Sequence, residues 1–165
     1  MARRPAAAVA RSGQAIEPAA ILAGLLELDP DLRVESYYSE QAIFYNPGRA
    51  APLGVIFAAI KDHDGPNDRA SRLSRPGVYR LAFALAPKAY AARFGEVPAR
   101  PPRGGVVRLE FDPAALNELA PHPVYAWMRW VQILAPTRRQ FVALRPLLEE
   151  SLTLVHARWK RRQVA

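Results

Sequence analysis

Residues 71–85 read SRLSRPGVYRLAFAL, a polar arginine-bearing loop that becomes an apolar run. In an extended strand Tyr79, Leu81, Phe83 and Leu85 project to one face, and Val78, Arg80, Ala82 and Ala84 to the other. The first set is a core face. The second holds two small side chains beside one guanidinium, which leaves two arrangements open. Either a helix packs closely over the alanines while Arg80 pairs with a carboxylate, or Arg80 stands at the rim of a shallow cavity that suits a carboxylate or phosphate. Arg72 and Arg75 precede the strand, and the turn at Pro76-Gly77 can swing their loop over the sheet.

Upstream, LGVIFAAIK (53–61) is apolar on both faces and reads as a central strand. Before it, RVESYY (33–38) and QAIFYNPG (41–48) read as short strands, the second closed by a turn at Asn46-Pro47-Gly48. A helix over 17–28 carries Ile21, Leu22, Leu25, Leu26 and Leu28, with Pro18 in its first turn. Downstream, PKAYAARFG (87–95) reads as a helix and VVRLEF (106–111) alternates as a half-exposed strand. Asp112 and Pro113 are set to start a helix over 112–120. AWMRWVQIL (126–134) reads as the last strand. From Thr137 a final helix carries Phe141, Leu144, Leu148, Leu152 and Val155 on one stripe, broken or kinked at Pro146. Several strands joined by short turns favour an α+β fold, an antiparallel sheet with helices packed mainly on one face. Residues 1–16 read as a disordered basic, alanine-rich leader and 17–162 as a single domain.

The chain of 165 residues carries a formal charge of +8 and no cysteine, which excludes disulfides and thiolate chemistry. Seven of its cations, Arg3, Arg4, Arg11, Arg158, Lys160, Arg161 and Arg162, lie near the termini, so the body is left at about +1. Cations in the last turn of a helix stabilise its carbonyl end, so nucleic-acid binding through the basic C-terminus is an alternative rather than the first reading. No apolar run approaches the roughly 20 residues that cross a bilayer, and a cytoplasmic protein without a cofactor is expected.

Five ordered motifs, IFYNP, IKDHD, SRLSRPGVYRL, PHPVYAWMRWV and RPLLEES, resemble an uncharacterised bacterial family common in actinobacteria, a domain of unknown function (DUF6194-like), over about Glu17 to Arg162. The closing stretch, a strand with Trp130 followed by PTRRQFVALRPLLEESLTLV, is also similar to YjbR/MmcQ-like proteins, which implies a sheet of the CyaY-like kind. This chain has Ala82 where the first family leads one to expect asparagine, and a role tied to that amide does not carry over.

Candidate site residues follow from two clusters. Lys61, Asp62, His63, Asp64 and Asp68 crowd one loop; the spacing lacks the third acid and the distal glutamate of a calcium loop, so the aspartates are expected to make turn hydrogen bonds and to pair with Arg69, Arg72 or Arg75. In PHPVYAW, Pro121 and Pro123 stiffen the segment that holds His122. Such stiffness serves a buried corner as well as a catalytic imidazole. The first functional expectation is a cleft that binds an anionic small molecule or a protein partner, with Arg72, Arg75, Arg80, Lys61, Tyr45, Asn46 and Trp127 as binding residues. The alternative is a cofactor-independent enzyme with His122 as acid/base and Tyr125 or Tyr45 as proton donor. Both readings require the Arg80 guanidinium and the His122 imidazole to open onto one hollow.

Overall fold

The computed structural model describes residues 13–165; the first twelve residues of the expected leader lie outside the described residues. Residues 13–16 already belong to the fold. Ala15 bridges Thr137, the Ile16 amide donates to the Pro136 carbonyl at 2.8 Å, and the Ile16 side chain is buried.

Pro18, which needs no amide partner in a first turn, opens α1 (Pro18–Leu26), and Ile21 and Leu25 lie buried one turn apart on it. Then come β1 (Leu32–Tyr37), β2 (Glu40–Tyr45), β3 (Val55–Lys61) and β4 (Arg80–Ala84). After them follow α2 (Pro87–Phe94), β5 (Ala120–Pro121), β6 (Trp130–Leu134), α3 (Arg138–Ala143) and α4 (Arg145–Val164). The strands form one six-stranded sheet in the order β1-β2-β3-β4-β6-β5, and every neighbouring pair is antiparallel. This is an α+β fold, as the several strands joined by short turns predict. Among the described residues no helix is long and apolar enough to cross a membrane.

The expected core face of β4 is the observed one. Leu81 and Phe83 join Ile43, Ala58, Ile60, Val131 and Ile133 in one cluster with Ile21 and Leu25 of α1 and with Leu148, Leu152 and Val155 of α4. The opposite face is covered by two long connections, residues 62–79 and 95–129, where Leu73, Val78 and Leu134 form a small second cluster. Buried polar groups there are paired, as burial requires: Ser71 Oγ donates to Gln132 Oε1 at 2.8 Å, and Gln132 Nε2 to the Pro113 carbonyl at 2.9 Å.

Pro146 divides the last helical stretch. The α3 segment ends at Ala143 and α4 starts at Arg145, so the proline sits in a first turn where its missing N–H costs nothing. A capping box holds the start of α3: Thr137 Oγ1 accepts from the Gln140 amide at 3.2 Å, and Gln140 Oε1 accepts from the Thr137 amide at 3.0 Å. Thr137→Ala should cost about 1 kcal/mol in chemical denaturation, the usual size of a lost N-cap.

Three expectations for 106–129 are corrected. Residues 106–111 form no strand; Val107 is buried and Arg108 and Glu110 exposed as alternation demands, but the Val107 amide bonds the Pro123 carbonyl beyond β5 rather than a strand of the sheet. Residues 112–119 form turns and Ala120 begins β5, in place of the expected helix over 112–120. Asp112 Oδ1 accepts from the Ala114 amide, and the carbonyls of Pro113 and Ala114 are taken by Gln132 and Arg75, side chains that a helix would have excluded. The strand expected from Ala126 starts only at Trp130, because Ala126–Met128 make a 3-10 turn that ends with Arg129 at φ +64°.

Candidate functional site

Antiparallel register places Lys61 at the end of β3 directly opposite Arg80 at the start of β4, both on the loop-covered face. Two cations side by side repel unless an anion stands between them. The 62–79 loop supplies it. Gly65 and Asp68 bridge each other through their backbones, and this tight turn points Asp68 back at the sheet. Arg80 grips the carboxylate with both terminal nitrogens, Nη1 to Oδ1 at 3.0 Å and Nη2 to Oδ2 at 2.5 Å, and Lys61 Nζ lies 3.4 Å from Oδ2. Burial by itself would push the Asp68 carboxyl up, but the hydrogen bonds and charge of Arg80, with Lys61 adding, hold it well below the usual carboxylate range. Glu40, nearby on β2, goes the other way: burial raises its carboxyl against the pull of Arg80 and Lys61.

His122 lies in the same region, between Pro121 of β5 and Pro123. Its own amide donates to the Trp130 carbonyl at 2.9 Å, and its Nδ1 accepts from the amides of Val124 (3.0 Å) and Tyr125 (3.2 Å). An acceptor Nδ1 puts the ring proton on Nε2 and makes the imidazole neutral. Burial, then the charge of Arg80, pushes its basicity well below the ordinary value of 6.5. With the Nδ1 lone pair spent on two amides, the ring holds the turn that presents Tyr125 and Trp127.

Over this buried layer opens a cleft of about 820 Å³. Lys61, Asp68 and Glu40 form part of its wall, Tyr38 stands at one side, Tyr125 and Trp127 at another, and Arg100 and Arg103 border it from the proline-rich loop. The Arg100 guanidinium lies over the Trp127 ring, 4.7 Å from its centre, a cation–π contact. The Tyr125 ring is 4.9 Å from that of His122 and is 42% exposed, while Tyr38 is 78% exposed.

The expected site residues therefore separate into three groups. Lys61, Tyr125 and Trp127 line the cleft. Arg80 and His122 share its neighbourhood but do not line it: each is 1% exposed, so the guanidinium expected at a rim is sealed in an ion pair, and the two groups do not open onto the hollow. Tyr45, Asn46, Arg72 and Arg75 are elsewhere. Tyr45 faces α4, its ring 4.5 Å from that of His156, and Asn46 closes its own turn by exchanging two hydrogen bonds with Ala51. Arg72 is exposed at φ +51°, and Arg75 staples backbone by donating to the carbonyls of Arg72, Ser71 and Ala114. Asp68 pairs with Arg80 and Lys61 rather than with Arg69, Arg72 or Arg75. Sequence reasoning missed Tyr38, Glu40, Arg100 and Arg103. The one signal for the arginines was their spacing on a stretch stiffened by Pro101 and Pro102.

Fold and site define an α+β fold, one antiparallel sheet with helices on one face and, on the other, a cleft bordered by arginine and aromatic side chains. Residues 16–164 match the model of a family of unknown function (DUF6194), and the chain belongs to that family. No curated protein and no solved structure matches the chain.

Proposed function

We propose that the cleft binds a small anionic molecule, and that the domain acts by binding it. One observation carries this reading: Arg100 and Arg103 border the cleft without an ion pair or side-chain hydrogen bond among the described residues, while the charge of Asp68 is already matched by Arg80 and Lys61. The cleft is therefore left with uncompensated positive charge. Guanidinium groups present a flat fork of donors that fits carboxylate or phosphate oxygens, and stacking on Trp127 holds Arg100 ready for such a ligand. Tyr38 and Tyr125 add flat surfaces on which a planar ligand body can rest. The reading takes the protein to work in the cytoplasm. It also keeps the likeness to YjbR- and CyaY-like sheets, which is supported by Trp130 at the start of β6 and by the Ser151–Val155 stretch within α4.

The test is calorimetric titration with citrate and with inorganic pyrophosphate. At least one should bind, and the double variant Arg100→Glu/Arg103→Glu should weaken it by about tenfold or more while keeping the wild-type melting temperature, because two charge-assisted contacts become repulsive ones. Affinity unchanged in the double variant would rule out this cleft as the anion site.

A further inference from the structure

A second hollow of about 640 Å³ lies between α2 and residues 96–121, beside β5. Its walls carry other side chains than those of the cleft: Phe94, Val107, Phe111 and Leu119 supply apolar surface between polar groups, and Tyr90 of α2 stands among them. Tyr90 is 1% exposed, yet its hydroxyl makes no hydrogen bond to any described residue. No described side-chain nitrogen or oxygen that is fully buried lacks a partner, so the sliver of Tyr90 that solvent reaches is its hydroxyl, at the wall of the groove. A tyrosine oxygen that solvent reaches only at the wall of this groove is free to accept from a donor on a ligand seated there.

The charge around the groove also differs. Glu96, Glu110 and Glu118 border it, against one cation, Arg108, which lies 3.7 Å from Glu110. In a chain of formal charge +8 this is a local excess of negative charge. An apolar body satisfies the aromatic walls, and a protonated amine satisfies both the carboxylates and the Tyr90 oxygen, since an ammonium offers three donors and no acceptor. A carboxylate or phosphate would be repelled, so the groove cannot be an extension of the anion cleft.

We infer that this groove is a separate binding site for a small amphipathic organic cation, an aryl or alkyl body carrying one primary ammonium that donates to Tyr90 Oη and is attracted by the negative border that Glu96, Glu110 and Glu118 provide. The volume falls in the range of small-molecule pockets.

The experiment titrates the full chain with 4-phenylbutylamine and with 4-phenylbutyrate, two probes with one apolar body and opposite charges, and follows binding by ligand-observed NMR and calorimetry. The amine should bind at least about tenfold more tightly than the acid, a preference that shrinks as salt screens the carboxylates. Tyr90→Phe should weaken the amine about tenfold or more and leave the acid unchanged, the size of one lost hydrogen bond to a charged group. The exposed triple variant Glu96→Gln/Glu110→Gln/Glu118→Gln should erase the preference with an unaltered melting temperature, so that lost binding is not mistaken for lost folding. Equal affinity for the two probes, absence of amine binding to folded wild type, or a preference that persists in the triple variant would overturn the assignment. Competition by citrate or pyrophosphate is not expected.

Discussion

Asp68→Asn should lower the melting temperature by roughly 6–20 °C, the largest loss expected from any single polar substitution in the chain. Arg80 is almost wholly buried, and both of its terminal nitrogens donate to the Asp68 carboxylate. An asparagine keeps the shape but removes the charge, which strands a buried guanidinium opposite Lys61; breaking one side of a buried pair costs about 3–5 kcal/mol, and in a domain of this size each kcal/mol moves the midpoint by about 2–4 °C. Removing both partners is a different matter. Asp68→Leu/Arg80→Met should recover most of the loss, because two well-packed apolar groups replace a desolvated ion pair. The pH dependence has a definite sign. The folded-state carboxyl lies well below its unfolded value, so its stabilisation is present above the ordinary aspartate pKa of about 3.9 and is lost as pH falls below it. The gap between wild type and Asp68→Asn should therefore close on acidification from about pH 4 downward.

His122→Phe should cost about 2–3 kcal/mol, or roughly 4–12 °C, because the Val124 and Tyr125 amides lose their shared acceptor while the ring volume is kept. His122→Asn should do better than phenylalanine despite its smaller size, since Oδ1 can accept where Nδ1 did. That ranking distinguishes a turn-holding imidazole from a core-filling one. Acid titration supplies a second check. The folded ring resists protonation, so its contribution is complete above the ordinary value of 6.5 and declines as pH drops through that value towards the lower folded one. Wild type should lose stability below about pH 6.5 by a component that His122→Phe lacks. Because Tyr125 and Trp127 stand on the same turn, His122→Phe should also weaken anion binding in the cleft, though neither ring nitrogen lines it.

What could be read from sequence divides along physical lines. The strand face Tyr79-Leu81-Phe83-Leu85 was legible because side chains alternate with period two, and Pro146 was legible as a break because a missing amide is a covalent fact. Val107-Leu109-Phe111 shows the limit of the same rule: alternating burial survives in 106–111, but a strand also needs its amides in a ladder, and the Val107 amide goes to the Pro123 carbonyl. Asp112-Pro113 is a sound helix start that the tertiary fold overrides, with Gln132 and Arg75 reaching the carbonyls a helix needs. At the site, pairing of Arg80 with a carboxylate was one of two arrangements the residues left open. Its partner was not identifiable, since Asp68 reaches it from an aperiodic loop whose path depends on the Gly65 turn. Arg100 and Arg103 escaped notice for a related reason, as only long-range packing decides which side of the sheet a proline-rich loop covers. Tyr45 and Asn46 were placed wrongly because strand neighbours share a region only when they share a face, and Tyr45 pairs across β1 and β3 on the face that meets α4.

Arg100 and Arg103, without an ion pair among the described residues, make an anion site over the Asp68–Arg80 pair, and amide NMR shifts followed while inorganic pyrophosphate is added show whether they do. Saturable shifts are expected at residues 38–40, 61–68, 100–105 and 124–127, with quiet spectra for α1 and α4. Shifts concentrated instead at the basic end of α4, around Arg158, Arg161 and Arg162, would contradict that assignment.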